Sequence, residues 1–185
     1  MYHSLADAIR DAEAADKTLA VVALEVEARD QGRPVAEIRE ALGRALAVMR
    51  GAVTRGLVGD LHSTSGLVGG DAAKLRTGPD GPMAGTPFRD VLARALAVQE
   101  VNAAMGVIVA APTAGGAGVL PAVLTGLADA RGIGTDALID ALATAGLIGA
   151  IGGAESPYSQ LGEGLVEGMF PEQLFKVDEN QIVPT

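Results

Sequence analysis

Residues 34–55 read PVAEIREALGRALAVMRGAVTR, and this stretch decides the class of fold. Pro34 stands where a proline opens a helix, and Gly56 and Gly59 end the pattern. The sequence therefore predicts a long amphipathic helix with one buried face. The apolar residues of that face recur at spacings of three or four, the period of an α-helix; they are Val35, Ile38, Leu42, Leu46, Met49 and Val53.

The same period appears in shorter segments on both sides of this helix. Gly32 stops the segment before it, and Thr135 is the predicted cap of the last helix. No strand-like alternation rises above noise, so the predicted class is all-α. Besides a single helical turn at 71–75, we predict helices over residues 4–15, 18–30, 87–105, 121–131 and 136–151.

The composition supports closely packed helices. Apolar residues make up 49% of the 185, yet the chain has only two Tyr, three Phe and no Trp. A core of this size must therefore be built from Ala, Val, Leu and Ile, of which Ala and Leu are strong helix formers. We expect one domain over residues 1–151, followed by a tail over 152–185 in which the helical pattern is lost.

Charge and hydropathy argue against several partners. The formal net charge is −9 and no run of Lys or Arg occurs, so we expect neither nucleic acid nor an anionic membrane surface as a partner. The longest apolar stretches, around 103–111 and 141–151, hold about ten residues, where a membrane span needs about twenty. The first residues do not resemble a signal peptide, and we expect a cytoplasmic location.

Two glycine-rich stretches interrupt the helical pattern, and we predict both to be substrate-binding loops. The first covers residues 63–74 and the second residues 111–118, just before a predicted helix. Glycine lets backbone N–H groups face a ligand, and consecutive N–H groups near a helix start can bind an anion. The sequence also permits simpler roles: turns or close packing for the glycines, a surface ion pair for Asp71 and Lys74, and a helix-interior hydrogen bond for Asn102.

Taken together, three ordered motifs resemble the catalytic alpha chain of iron–sulfur L-serine dehydratases. The resemblance runs from the first helices to about Ile151. The motifs are Ser63-x-Ser65-Gly66-Leu67-x-Gly69-Gly70-Asp71-Ala72-x-Lys74, Glu100-Val101-Asn102-Ala103-Ala104-Met105-Gly106 and Ala111-Pro112-Thr113-Ala114-Gly115-x-Ala117-Gly118-Val119-x-Pro121.

This resemblance implies a lyase that converts L-serine to pyruvate and ammonia. It also implies a 4Fe-4S cluster held by three cysteines, whose open iron would draw off the β-hydroxyl, and a partner beta chain. It does not place the base that removes the α-proton. The substrate-binding residues that it implies are Ser63, Ser65, Gly66, Gly69, Gly70, Asp71, Asn102, Thr113, Ala114 and Gly115.

The most serious departure from the family is that the sequence contains no cysteine. We expect a chain truncated before the cluster ligands, completed by a beta chain or another cysteine-bearing part, and unable to hold a cluster alone. Two alternatives stay open. One is a pyridoxal-phosphate lyase, for which Lys74 is the lysine beside a glycine-rich stretch. The other is a non-catalytic helical binding or assembly module derived from the family.

Overall fold

The structure is a computed structural model that describes residues 2–81, 85–105 and 117–155, the last three of these without their side chains. No strand occurs in these segments, and the prediction of an all-α chain is confirmed. The described helices are α1 (Leu5–Ala14), α2 (Leu19–Gln31), α3 (Val35–Gly56), α4 (Asp71–Thr77), α5 (Phe88–Ala103), α6 (Val119–Arg131) and α7 (Thr135–Glu155).

Side-chain caps and glycines set the helix ends. The Ser4 hydroxyl accepts a hydrogen bond from the Asp7 amide at 3.2 Å, and Thr18 caps α2 in the same way. Gly32 ends α2 in the left-handed conformation at φ 64°, and Gly132 ends α6 at φ 65°. Glycine adopts this conformation with the least strain, and the predicted stop at Gly32 is confirmed.

The buried face predicted for α3 is confirmed except at its first position. Leu46 is the most buried large side chain, with 1% of its surface exposed, and four other predicted positions are also buried. Val35 is exposed instead, because it is the first residue of the helix and its side chain lies at the open end. The buried set is Ile38, Leu42, Leu46, Met49 and Val53.

Helices α6 and α7 are longer than predicted. Helix α6 begins at Val119, two residues before Pro121. The helix tolerates a proline in its first turn, because the N–H groups there have no acceptor within the helix and none is lost. Helix α7 includes Thr135 and runs to Glu155. By length and composition alone, its stretch Thr135–Gly152, with mean hydropathy 1.4, could cross a membrane; one third of that stretch is buried, and core helices of other proteins can pass the same test.

The described residues fall into two compact units. The first holds the residues up to Ala45 and those from Thr135 onward, and the second holds Leu46–Gly134. In the first unit α2 packs on α1 and on α7, and Arg39 of α3 forms a 2.5 Å ion pair with Asp140 of α7.

In the second unit α5 lies between α4 and α6 and also contacts the end of α3. Small residues allow these contacts, since Ala93 and Ala97 of α5 are completely buried. A Cβ built on Gly56 of α3 would lie 2.6 Å from the Ala97 Cα, and one built on Gly126 of α6 would lie 2.7 Å from Val91. The described helices therefore pack as closely as the small-residue composition predicts.

Candidate functional site

The first glycine-rich stretch is a loop that leads from α3 to α4 in the second unit. Residues 63–68 form a closed turn, in which the Ser63 amide donates to the Val68 carbonyl at 2.8 Å and the Gly66 amide donates to the Ser63 carbonyl at 2.8 Å. Gly66, Gly69 and Gly70 have φ angles of 71°, 153° and 76°. Side chains rarely tolerate these angles, so the glycines are needed for this turn.

Two serine hydroxyls stand close together on this loop. The Oγ atoms of Ser63 and Ser65 are 3.1 Å apart and hydrogen-bonded. Ser63 Oγ also accepts from the Val68 amide at 3.1 Å, and Ser65 is exposed. Leu67 at the tip is 87% exposed. The loop thus presents a pair of hydroxyls, while the amides of Gly66 and Val68 already have acceptors within it.

The predicted set of amide donors is therefore smaller than the motif implied. Asp71 and Ala72 donate their amides to the carboxylate of Glu100, at 2.6 and 3.0 Å. Within the described residues, the amides of Gly69 and Gly70 have no acceptor. Because the two serine hydroxyls are hydrogen-bonded to each other, one hydroxyl proton of the pair and the amides of Gly69 and Gly70 are the donors of this loop that remain for an anion.

Glu100 is the residue of this region to which the sequence assigned no role. It lies on α5, is only 3% exposed, and its Oε1 holds both amides at the start of α4. Gly70, which precedes α4, has no side chain to cap the helix, so Glu100 caps it from another helix. Its Oε2 is buried, with no hydrogen-bond partner in the described part of the chain. An unpaired buried polar atom costs about 1–3 kcal/mol.

The sequence contained one signal for this role. Glu100 interrupts the apolar end of a helix whose neighbours Val98 and Val101 are buried. A carboxylate at such a position must find donors within the protein. The sequence alone could not identify them, because the Asp71 and Ala72 amides are 29 and 28 residues away.

Asn102 and the pair Asp71–Lys74 have different surroundings. Asn102 is 9% exposed in the last turn of α5, and its carbonyl accepts from the Met105 amide at 3.1 Å. The Asp71 carboxylate and the Lys74 ammonium form a 3.0 Å ion pair, with both side chains mostly exposed. The simpler reading of that pair, as a surface ion pair, is what the structure has.

The second predicted loop lies mostly outside the described residues, which include neither Thr113 nor Ala114 nor Gly115. Its last residue, Gly118, packs closely on α5: a Cβ built there would lie 3.1 Å from the Ala95 carbonyl carbon, and closer still to the oxygen. Both glycine-rich stretches therefore lead into helices that contact α5.

The two contacts on α5, at Ala95 and at Glu100, are five residues apart. Five residues correspond to about 7.5 Å along the helix axis and about 140° around it. That the two loops converge on one pocket stays a prediction.

A separate cavity of about 330 Å³ lies in the first unit, and it contains none of the predicted site residues. Its polar groups pair with one another, since the Tyr2 hydroxyl donates to Asp11 at 2.9 Å and Lys17 contacts Glu25 at 2.7 Å. Burial, with the Asp11 hydrogen bond, raises the pKa of Tyr2. Nothing about this cavity matches the predicted chemistry.

The described residues contain no group of three His, Asp or Glu side chains placed to hold a metal ion. Cysteine is absent from the whole sequence. Oxygen and nitrogen donors at scattered positions do not replace the thiolates that hold iron–sulfur clusters. The residues of this chain therefore do not fit such a cluster.

The fold and the site together define a class of protein. It is an all-helical unit that carries a glycine-rich loop beside a buried carboxylate. The family model described as "Serine dehydratase alpha chain" matches residues 8–159, which include all three motifs. The chain belongs to this family. No solved structure matches it.

Similar proteins support the same family. The chain is 38% identical over 133 residues to "Probable L-serine dehydratase, alpha chain" of Bacillus subtilis (strain 168), covering 70% of this chain and 43% of that protein. It is 36% identical over 137 residues to "L-serine dehydratase" of Streptomyces coelicolor, covering 71% and 30%. It is 33% identical over 103 residues to "L-serine dehydratase, alpha chain" of Peptoniphilus asaccharolyticus, covering 55% and 35%. The chain thus spans less than half the length of each of these relatives.

Proposed function

We propose that this chain is the substrate-binding portion of an L-serine dehydratase, a lyase that forms pyruvate and ammonia from L-serine. The observation that carries the proposal is the family match over residues 8–159, a range that contains all three motifs. The names of the relatives supply the substrate, since each is an L-serine dehydratase.

The geometry of the first loop supports a role in binding. The hydroxyl pair of Ser63 and Ser65 keeps one proton free for a ligand, and this proton and the amides of Gly69 and Gly70 suit the carboxylate of a small amino acid. Asn102 and residues 113–115 complete the proposed set. Hydrogen bonds to a charged group contribute about 1.5–3 kcal/mol each, enough for a few of them to hold a ligand of this size.

Elimination of the β-hydroxyl also needs a group that accepts hydroxide. In the proposed enzyme this is a 4Fe-4S cluster, for which this chain has no ligands. A cysteine-bearing part or a beta chain would have to provide them. The chain's own contribution is then to bind the substrate and hold it in position.

Calorimetric titration with L-serine tests the binding role. We expect saturable binding of L-serine. The double variant Ser63→Ala, Ser65→Ala should lose at least tenfold in affinity, since one lost hydrogen bond to a charged group is worth about that much. Absence of heat at millimolar L-serine in the wild type would refute binding by this chain.

A second candidate function is a non-catalytic helical binding or assembly module. The missing cysteines favour it, because they remove the chemistry but leave the helices intact. Anaerobic reconstitution with iron and sulfide separates the two. A brown, active complex with a cysteine-bearing partner supports the enzyme. A colourless and inactive complex supports the module.

A further inference from the structure

The Glu100 carboxylate has one satisfied oxygen and one unsatisfied oxygen. Oε1 accepts from the amides of Asp71 and Ala72, whereas Oε2 is buried and has no partner within the described residues. Each such buried group in a folded protein calls for an explanation, and one explanation is a ligand that supplies the partner.

The position of Oε2 indicates which ligand that could be. Both oxygens belong to one carboxyl group, so Oε2 lies beside the same backbone segment as Oε1, directly after Gly70. The nearest basic side chain along α4, Lys74, points to solvent and pairs with the Asp71 carboxylate. A cationic donor at Oε2 must therefore come from outside this segment.

We propose that Glu100 Oε2 accepts a hydrogen bond from the α-ammonium group of the amino acid bound at the glycine-rich loop. The inference rests on the proposed function and adds a specificity-determining residue to it. The donors of the loop suit a carboxylate, and Glu100 is a buried acceptor on the two amides that directly follow Gly70. A charged acceptor and a charged donor form the stronger kind of hydrogen bond, so the site distinguishes amino acids from hydroxy acids.

Two ligands and one isosteric variant test this. L-Glycerate carries a hydroxyl where L-serine carries the ammonium group. In Glu100→Gln the amide oxygen can still accept from Asp71 and Ala72, while the amide nitrogen replaces Oε2 and opposes an ammonium group. We expect the wild type to prefer L-serine over L-glycerate at least tenfold, and Glu100→Gln to reduce that preference to threefold or less. Glu40→Gln, at an exposed carboxylate in the first unit, is the matched control and should leave both affinities unchanged.

Three results would overturn the inference. The wild type could bind L-glycerate as tightly as L-serine; Glu100→Gln could retain full affinity for L-serine; or the variant could weaken both ligands equally, as expected if Glu100 only caps α4. Absence of L-serine binding in the wild type would instead refute the proposed function itself.

Glu100→Gln also changes a buried polar group of the core and could fail to fold, which circular dichroism would reveal. The wild-type chain then decides the matter by nuclear magnetic resonance. L-Serine should shift the amide signals of Asp71 and Ala72, which share a carboxylate with the proposed contact. Unchanged signals at both amides on saturation with L-serine would overturn the inference.

Discussion

Replacing Gly56 by alanine is expected to destabilise the second unit, because the new Cβ has no room. It would lie 2.5 Å from the Ala97 carbonyl carbon, 2.6 Å from its Cα, and closer still to its oxygen. All three are backbone atoms of α5, so no change of rotamer relieves the clash. Ordinary Cβ contacts begin at 3.4 Å, and α3 and α5 would have to move apart.

The magnitude follows from two opposing effects. Alanine in a helix is favoured over glycine by about 1 kcal/mol, whereas overpacking costs about 1–3 kcal/mol or more. Contacts this short place the cost at its upper end, and the expected net loss is about 2 kcal/mol. In a protein of this size that corresponds to a Tm lower by about 4–8 °C.

Gly51, one turn earlier on α3, provides the matched control, because a Cβ built there meets nothing within 4 Å. Gly51→Ala should gain about 0.5–1 kcal/mol. Urea and thermal unfolding followed by circular dichroism would measure both variants against the wild type. If Gly56→Ala proved as stable as Gly51→Ala, α3 and α5 would not approach each other as described, and the position of α5 would need revision.

Three further experiments test the loop, an ion-pair network and a titrating group. Gly69→Ala should lower the free energy of unfolding in urea more than Gly66→Ala does. A Cβ at position 69 would lie 2.8 Å from the ring nitrogen of His62. A Cβ at position 66 meets open space, so Gly66→Ala costs only about 1–2 kcal/mol of left-handed strain. Arg94→Met should lower the free energy of unfolding by roughly 1–2 kcal/mol, because Arg94 is 13% exposed and pairs with carboxylates of α5 and α6. The control Arg44→Met, at an exposed ion pair, should lower it by less than about 0.5 kcal/mol. Equal losses in the two variants would contradict the prediction. Burial raises the pKa of Glu27 above its usual 4.5, because ionisation of the buried carboxyl is unfavourable. Ionised Glu27 therefore lowers the free energy of unfolding, and this loss appears as the pH rises through the folded-state pKa. Glu27→Gln should therefore stabilise the protein at pH 7 and lose this advantage near pH 4, and a pH-independent effect would contradict it.

The helices could be predicted because their signals are local. A three-to-four spacing of apolar residues, a hydroxyl cap at Ser4 or Thr18 and a stop at Gly32 all act within a few residues of sequence. The errors were local as well. Val35 was predicted to be buried but is exposed, and α6 begins two residues before Pro121.

The site could be predicted only in part. The order of the motifs indicated the family, and the first glycine-rich stretch is a loop with its serine hydroxyls paired. That these residues bind substrate stays a prediction. The amides of two of them, Gly66 and Asp71, have acceptors inside the protein, which no motif reports.

The sequence by itself determined the helical class, most helix ends and the family, because periodicity, caps and motif order are properties of neighbouring residues. Tertiary structure alone decided that Glu100 caps a helix 28 residues away and that Gly56 and Gly118 contact α5 at Ala97 and Ala95. Such contacts join residues distant in sequence, and they form only once the helices have packed.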